Sequence, residues 1–369
     1  MDKTLDLTVR RMAAWADFGS DVSAFERWMD SLPPAAARGF VEDFEEQAPP
    51  VPDIEPPRDV WAWLGATHPH FAHFGAHHGS FWDWVGGIER GDRPRPLCMV
   101  INRGGGKTSS AEAALAYVAG HGLRGYGWFV QETQDQADGT LANIAASFRS
   151  KRLAPYHPEL ARVKTVHFDG GGGKTRAMKG QWNRQRISTS NGFIMDAMGL
   201  DTARRGARVE DQRPDFIIFD DIDGKHDTAR ATMKKIGTIT TSILPAGSSD
   251  CAVLMLQNLI IPNGVISQVA DGRADFLLDR IVIGPIPAVD VLEYELVEDG
   301  GARAYRITAG RATWDGMPLS VCEAKMNEWG VSAFLQEAQH EVNQMSGGMF
   351  DKIEYRRCAM SDVPTLRMV

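Results

Sequence analysis

Cysteine is scarce and scattered in this 369-residue chain: Cys98, Cys251, Cys322 and Cys358 stand far apart, with no CxxC spacing and no Cys/His cluster. That excludes a disulfide framework and a zinc site of the finger type, and it fits a reducing cytosol. Cys98 and Cys251 open apolar runs and read as core packing. Long apolar runs are missing too. None approaches the roughly 18–20 residues needed to span a bilayer, and the polar start MDKTLDLTVRR is no signal peptide. No membrane role is expected. There is no internal repeat and no low-complexity tract. Positive charge is in deficit, with a formal net charge of −8, so the chain is not globally a polyanion binder.

The charge is uneven, however. Ten Lys/Arg lie between Arg149 and Arg186 against two acids, Glu159 and Asp169. A basic block on an acidic protein is a candidate footprint for a phosphate backbone; the bland alternative is a solvated face. Lys174, Lys179 and Arg184 are the candidate DNA contacts.

Residues 1–57 read as an acidic helical extension (RRMAAWADF, SAFERWMDSL) ending in the proline-rich linker APPVPDIEPP. From residue 58 an aromatic, histidine-rich stretch leads into alternating strands and helices. LCMVIN, YGWFVQE, DFIIFD and CAVLMLQ read as buried strands; KTSSAEAALAYVAG, QDQADGTLANIAASF and DTARATMKKIGTITTSIL read as helices. Such alternation predicts an α/β fold whose mostly parallel sheet is covered on both faces. The core is expected over 58–274. A lid or linker subdomain over 275–350 holds a hairpin turning at Asp299-Gly300-Gly301 and two helices, with a connecting segment over 351–369.

Asn102-Arg103-Gly104-Gly105-Gly106-Lys107-Thr108 follows a strand and opens a helix, the context of a phosphate-binding P-loop. Glycines let backbone N–H groups wrap phosphates. Lys107 reaches the β/γ oxygens of ATP, and Thr108, followed by Ser109, supplies a hydroxyl for Mg²⁺. Ile101 stands where the usual first glycine would be. A second GKT, in Gly170-Gly171-Gly172-Gly173-Lys174-Thr175, precedes a charged stretch instead of an apolar helix and reads as a basic loop between strands. FIIFDD places Asp220 at the C-terminal edge of a buried strand to hold Mg²⁺, with Asp221 to ready the attacking water and Asp223 as its fallback. Gln257 and Asn258, ending the next strand, are candidates for sensing the γ-phosphate and coupling its loss to movement.

Taken together, these residues resemble the large terminases of tailed bacteriophages, from about Phe71 to the C-terminus. That family's P-loop often carries Arg four residues before the Lys, the place of Arg103. HHGSFWDWV resembles its His-plus-aromatic segment, which implies His78, Phe81 and Trp82 as base contacts. RGAR before RPDFIIFDD resembles its Arg-Gly element, which implies Arg205 or Arg208 at the γ-phosphoryl group, acting across subunits. SAFLQEAQHEVNQMSGGMF resembles the end of the family's ATPase region, and the chain stops at PTLRMV, about where a nuclease domain would begin. The resemblance implies a RecA/ASCE-like P-loop NTPase without nuclease activity: the ATPase half of a packaging motor. Implied partners are double-stranded DNA, a portal protein, a small terminase subunit and further copies in a pentameric ring, at the procapsid portal in the host cytoplasm. A helicase- or recombinase-like motor, or a portal-docking module with negligible turnover, are the alternatives.

Overall fold

The computed structural model describes residues 54–169, 175–179, 182–202, 212–299 and 301–341, all within one compact unit, Ile54–Val369. The N-terminal extension up to residue 53 and the segment 351–369 lie outside them.

Helix α1 (Val60–Thr67) starts where the Asp59 side chain accepts from Ala62 N at 2.8 Å, and α2 (Ala76–Gly86) follows. Strand β1 (Leu97–Ile101) then leads into α3 (Lys107–Gly120), and β2 (Tyr126–Gln131) into α4 (Gln134–Phe148). A reciprocal capping box starts α4: Thr133 Oγ1 accepts from Gln136 N, and Gln136 Oε1 accepts from Thr133 N. Two short strands, β3 (Thr165–Asp169) and β4 (Thr175–Lys179), pair antiparallel. Residues 170–174 between them, most of the second GKT, lie outside the described residues. Next come β5 (Arg186–Ser188), β6 (Ile194–Gly199), β7 (Phe216–Asp220) and α5 (Ala229–Thr238), then β8 (Ala252–Gln257) and α6 (Val265–Ala270). Strand β9 (Ile281–Ile286), the hairpin β10 (Val289–Asp299) and β11 (Ala302–Ala312), and helices α7 (Leu319–Trp329) and α8 (Val331–Gln339) complete the described chain.

Seven strands form one sheet in the order β5-β6-β2-β7-β8-β1-β9. All neighbours are parallel except β5, which runs antiparallel to β6 at one edge. The protein is therefore α/β with a mostly parallel sheet. Every residue of β1, β2, β7 and β8 is buried, and their side chains alternate between two apolar cores. Met99, Phe129, Ile218 and Leu254 face α1 to α4 on one side. Val100, Trp128, Phe219 and Met255 pack against Ile239, Ile243 and Val269 on the other. A helix layer on each face is what such continuously apolar strands require. Cys98 and Cys251 lie buried in the second core, as expected. Among the described residues no helix is long and apolar enough to cross a membrane.

The sheet runs on past residue 274, where the core was expected to end, because β9 pairs with β1. Gly284 makes that approach possible: its φ is +98°, and a Cβ there would collide with the Val100 carbonyl. A third apolar cluster, built from Val289, Met317, Cys322, Met326 and Phe334, joins the hairpin to α7 and α8. This smaller assembly is bonded to the sheet's C-terminal edge: Ala288 N donates to Ala338 O at 2.7 Å and Arg103 N to Glu337 O at 2.9 Å.

His340, just after α8, accepts from Leu259 N through Nδ1 at 3.2 Å, which leaves Nε2–H to donate to Ile286 O at 2.9 Å. Burial lowers its pKa from 6.5 to about 4. A histidine kept neutral in the fold contributes stability that is present above 6.5 and is lost as pH falls toward 4. Ring titration followed by NMR should therefore show His340 still neutral through the range in which an exposed histidine protonates. A normal titration midpoint would refute the buried, doubly bonded ring.

Candidate functional site

The C-terminal ends of β1, β8 and β7 open on one edge, and the loops after them supply the site. After β1, Asn102 is fully buried and Gly105 N donates to its carbonyl at 3.1 Å. Gly104 and Gly106 take φ of +85° and +79°, in the left-handed region, and Gly106 is the N-cap of α3. This brings the first N–H groups of α3 around one point, a ready anion site. Lys107 is buried, and its ammonium curls back to donate to Ile101 O at 3.4 Å and Asn102 O at 3.3 Å. Burial lowers its pKa, opposed by the charges of Asp221 and Asp220.

Asp220 ends β7 and is 1% exposed. Its Oδ2 accepts from Thr108 Oγ1 at 2.9 Å and from Gln131 Nε2 at 3.2 Å. Gln131 is itself fixed, since its Oε1 accepts from Thr140 Oγ1 at 2.8 Å. Oδ1 of Asp220 has no hydrogen-bond partner among the described residues. Burial first, and the neighbouring Asp221 charge second, push the Asp220 carboxyl well above its ordinary range. Asp221 has φ of +47°, unusual for a residue with a Cβ. Its N–H donates to Leu256 O at 3.2 Å, and the residue keeps part of its surface exposed. Partial burial of the carboxyl group raises its pKa, while Lys107 and Arg103 pull it down.

The pair ending β8 divides its work. Gln257 Oε1 accepts from Ile222 N and Asp223 N, both at 3.0 Å, and its Nε2 donates to Asp223 O at 3.0 Å. It thus clamps the turn that presents Asp221. Asn258 Nδ2 instead donates to Glu337 Oε2 at 3.1 Å. Asp223 is no substitute for Asp221: its two oxygens accept from Val265 N and Ile266 N at 2.8 and 2.9 Å, capping α6.

Beside the glycine loop lies a cavity of about 270 Å³ lined by Phe71, Phe74, His78, Ser109 and Trp314, among others. The orientation of His78 is set by two bonds. Nδ1 accepts from Gly75 N at 3.0 Å, so Nε2–H donates to Gly105 O at 2.9 Å. Burial lowers its pKa and keeps the ring neutral. Phe81 and Trp82 do not join it, and the expectation of base contacts fails for both. They are 0% exposed, in the core between α1 and the sheet, because α2 turns that face inward. The aromatic residues at the cavity come instead from the loop before α2 and from Trp314, after β11.

Arg205, Arg208 and Lys174 lie outside the described residues, and the side chain of Lys179 does too. Arg184 reaches Asp138 at 3.5 Å with a largely exposed side chain. Arg186, in the same basic block, is held in the sheet by a two-pronged pair with Asp196 at 2.5 and 2.6 Å. Sequence reasoning passed over Gln131 and Glu337. Glu337 lies within the Phe-x-x-Glu of the segment that resembles the end of a terminase ATPase region, a signal that marked its place and not its bonds.

No family model and no curated protein matches the chain. Among solved structures, the ATPase domain of the Thermus phage P74-26 large terminase is similar at TM-score 0.28, with 17% identity over 47% of this chain and 64% of that one. An arginine-to-alanine mutant of the same domain aligns at TM-score 0.30 and 14% identity, over 47% of this chain and 62% of that one. The chain thus spans less than two thirds of either neighbour. A likeness at this level carries no argument, and the site stands on its own geometry.

Trp82→Ala should lower the unfolding free energy by about 3–5 kcal/mol, the cost of emptying a large core position. Urea unfolding checks this, and an unchanged stability would refute the core placement of Trp82.

Proposed function

We propose that the chain is an ATP-hydrolysing P-loop domain, and that its work is to drive double-stranded DNA in the manner of a terminase packaging motor. The observation that carries the ATPase reading is the Thr108–Asp220 hydrogen bond of 2.9 Å beside a glycine-built helix N-terminus. It joins the hydroxyl after the phosphate-binding lysine to a buried carboxylate two strands away. That is the pairing needed where one Mg²⁺ is held against the phosphates of ATP. The residues fit the ion: Thr108 and Asp220 would hold it, and the unpartnered Oδ1 of Asp220 is the open acceptor. Bound there, Mg²⁺ would supply neutralising charge for the β/γ-phosphates.

The chain's own groups then have separate roles. The N–H groups of Gly104 to Thr108, with Ser109 beside them, cradle phosphate, and Lys107 leaves its two carbonyls for the β/γ oxygens. Asp221, held forward by the Gln257-clamped turn, orients and deprotonates the attacking water. His78 fixes the Gly105 carbonyl, and the cavity beside it takes the base. Arg205 or Arg208 supplies a further cation, from this copy or a neighbour in a ring. Fixed positive charge at the transferring group is the main catalytic term such a site offers.

The packaging role rests on the resemblance of Arg103, RGAR and SAFLQEAQHEV to terminase segments. With it come the proposed partners: duplex DNA, a portal, a small terminase subunit and a homo-oligomeric, pentameric ring, at a procapsid portal in the host cytoplasm. The β7–β8–β1 order suits a motor, since β8 places polar groups between the carboxylate and the lysine.

ATP hydrolysis by the full chain, with and without duplex DNA, tests this. Lys107→Ala and Asp220→Asn should each lose roughly a hundredfold or more in rate, and duplex should stimulate the wild type. Equal rates for wild type and Lys107→Ala would overturn the site. Stimulation by single strands alone, with unwinding, would point to a helicase-like motor. Turnover absent even with a portal would leave a docking module.

A further inference from the structure

Glu337 collects polar contacts from all three loops of the edge where β1, β8 and β7 end: hydrogen bonds from two and an ion pair from the third. It lies on α8 and is 5% exposed. Oε2 accepts from Asn258 Nδ2, after β8, at 3.1 Å and from Arg103 Nη1, in the glycine loop, at 3.4 Å. Oε1 pairs with Lys225, in the segment after β7. Burial works against its charge, yet Lys225, Arg103 and Asn258 together hold its carboxyl below the ordinary range.

Both cations are partly open to solvent, and they are held differently: Lys225 lies in close contact with Oε1, Arg103 does not. Arg103 makes one long, single-pronged contact and its side chain is 62% exposed; the side chain of Lys225 is 49% exposed. A guanidinium in its strongest carboxylate pairing makes two short parallel bonds, so this one has much to gain from a better acceptor. Arg103 belongs to the loop that carries Lys107, and Lys225 follows the turn that carries Asp221. The charges of Arg103 and Glu337 both act on Lys107 and on Asp221.

We propose that Glu337 is a stand-in for the γ-phosphate: its carboxylate and the γ-phosphate of ATP compete for the same two cations, Arg103 and Lys225. This rests on the ATPase reading above and adds a residue and a consequence to it. ATP, with a γ-phosphate, takes both cations over and leaves Glu337 with Asn258 alone. A buried carboxylate stripped of its cations is costly to keep in place, so α8 is pressed to move. ADP has no γ-phosphate and leaves the three-way contact standing. Glu337 is a positioning residue, and the nucleotide's last phosphate is what it reports to α8.

Calorimetric titration of the full chain with Mg·ATPγS and Mg·ADP tests this. Glu337→Gln keeps the shape and removes the competing charge. It should tighten ATPγS by about tenfold, the worth of one charge-assisted contact, and leave ADP unchanged. Arg103→Gln and Lys225→Gln should each weaken ATPγS by a similar factor with little effect on ADP, which tests the idea even if Glu337→Gln does not fold. A purely structural role for Glu337 would shift both nucleotides alike. An unchanged ATPγS-to-ADP ratio in all three variants would overturn the proposal. Lys107→Ala binding both nucleotides as well as the wild type would overturn the ATPase reading itself, and this inference with it.

Discussion

A carboxylate buried at the end of a strand must find donors or lose its charge, and at Asp220 that demand organises the edge where β1, β8 and β7 end. One oxygen draws in Thr108 from the start of α3 and Gln131 from the end of β2. Gln131 in turn needs Thr140 on α4. A single acid thus ties together two strands and two helices. It stays incomplete, because its second oxygen has no donor among the described residues.

That incompleteness separates Asp220 from three other aspartates of the sheet and its loops. Asp215 accepts from Gly125 N and Tyr126 N at 2.7 and 2.8 Å, fixing where β2 begins. Asp223 caps α6 with both oxygens. Asp196 is occupied by Arg186 and by the Tyr126 hydroxyl at 2.6 Å. These carboxylates are built into the architecture, their acceptor capacity met by backbone or by a fixed partner. Asp220 keeps acceptor capacity in reserve, which the proposed metal-holding role would use, and Asp221 carries the only other carboxylate of the FIIFDD turn.

Much of this fold could be read in the sequence. LCMVI, YGWFVQ, FIIFD and AVLMLQ are apolar throughout, and only a doubly covered strand has use for that pattern. Strand β9 escaped because IVIGPI contains Gly284 and Pro285, residues that ordinarily argue against a strand; at a sheet edge, with β1 close by, both fit. That Lys107, Thr108 and Asp220 would lie at one edge could be read because each sits at the end of a buried strand or at the start of the helix that follows one. Phe81 and Trp82 were misplaced because a helix's inward face depends on what packs beside it, and neither α1 nor its angle to α2 is written in HHGSFWDWV. Gln131 and Glu337 were hidden for a related reason. Their roles arise from meeting residues far along the chain, Asp220 in one case and Arg103 and Asn258 in the other. Arg205 and Arg208, expected at the same edge, lie outside the described residues.

Strand β8 lies between the strand that delivers Lys107 and the strand that ends in Asp220. Neighbouring strands sit about 4.8 Å apart, so these two are separated by about 10 Å. Backbone ladders on both sides of β8 hold that spacing. The strand therefore works as a gauge block: it fixes the gap across which lysine and carboxylate face each other, whatever residues line the edge. Side chains there can drift while the gap holds. An inserted or deleted residue within β8 would shift the register on both of its flanks at once, displacing Gln257 and Asn258 relative to both neighbours in the same stroke.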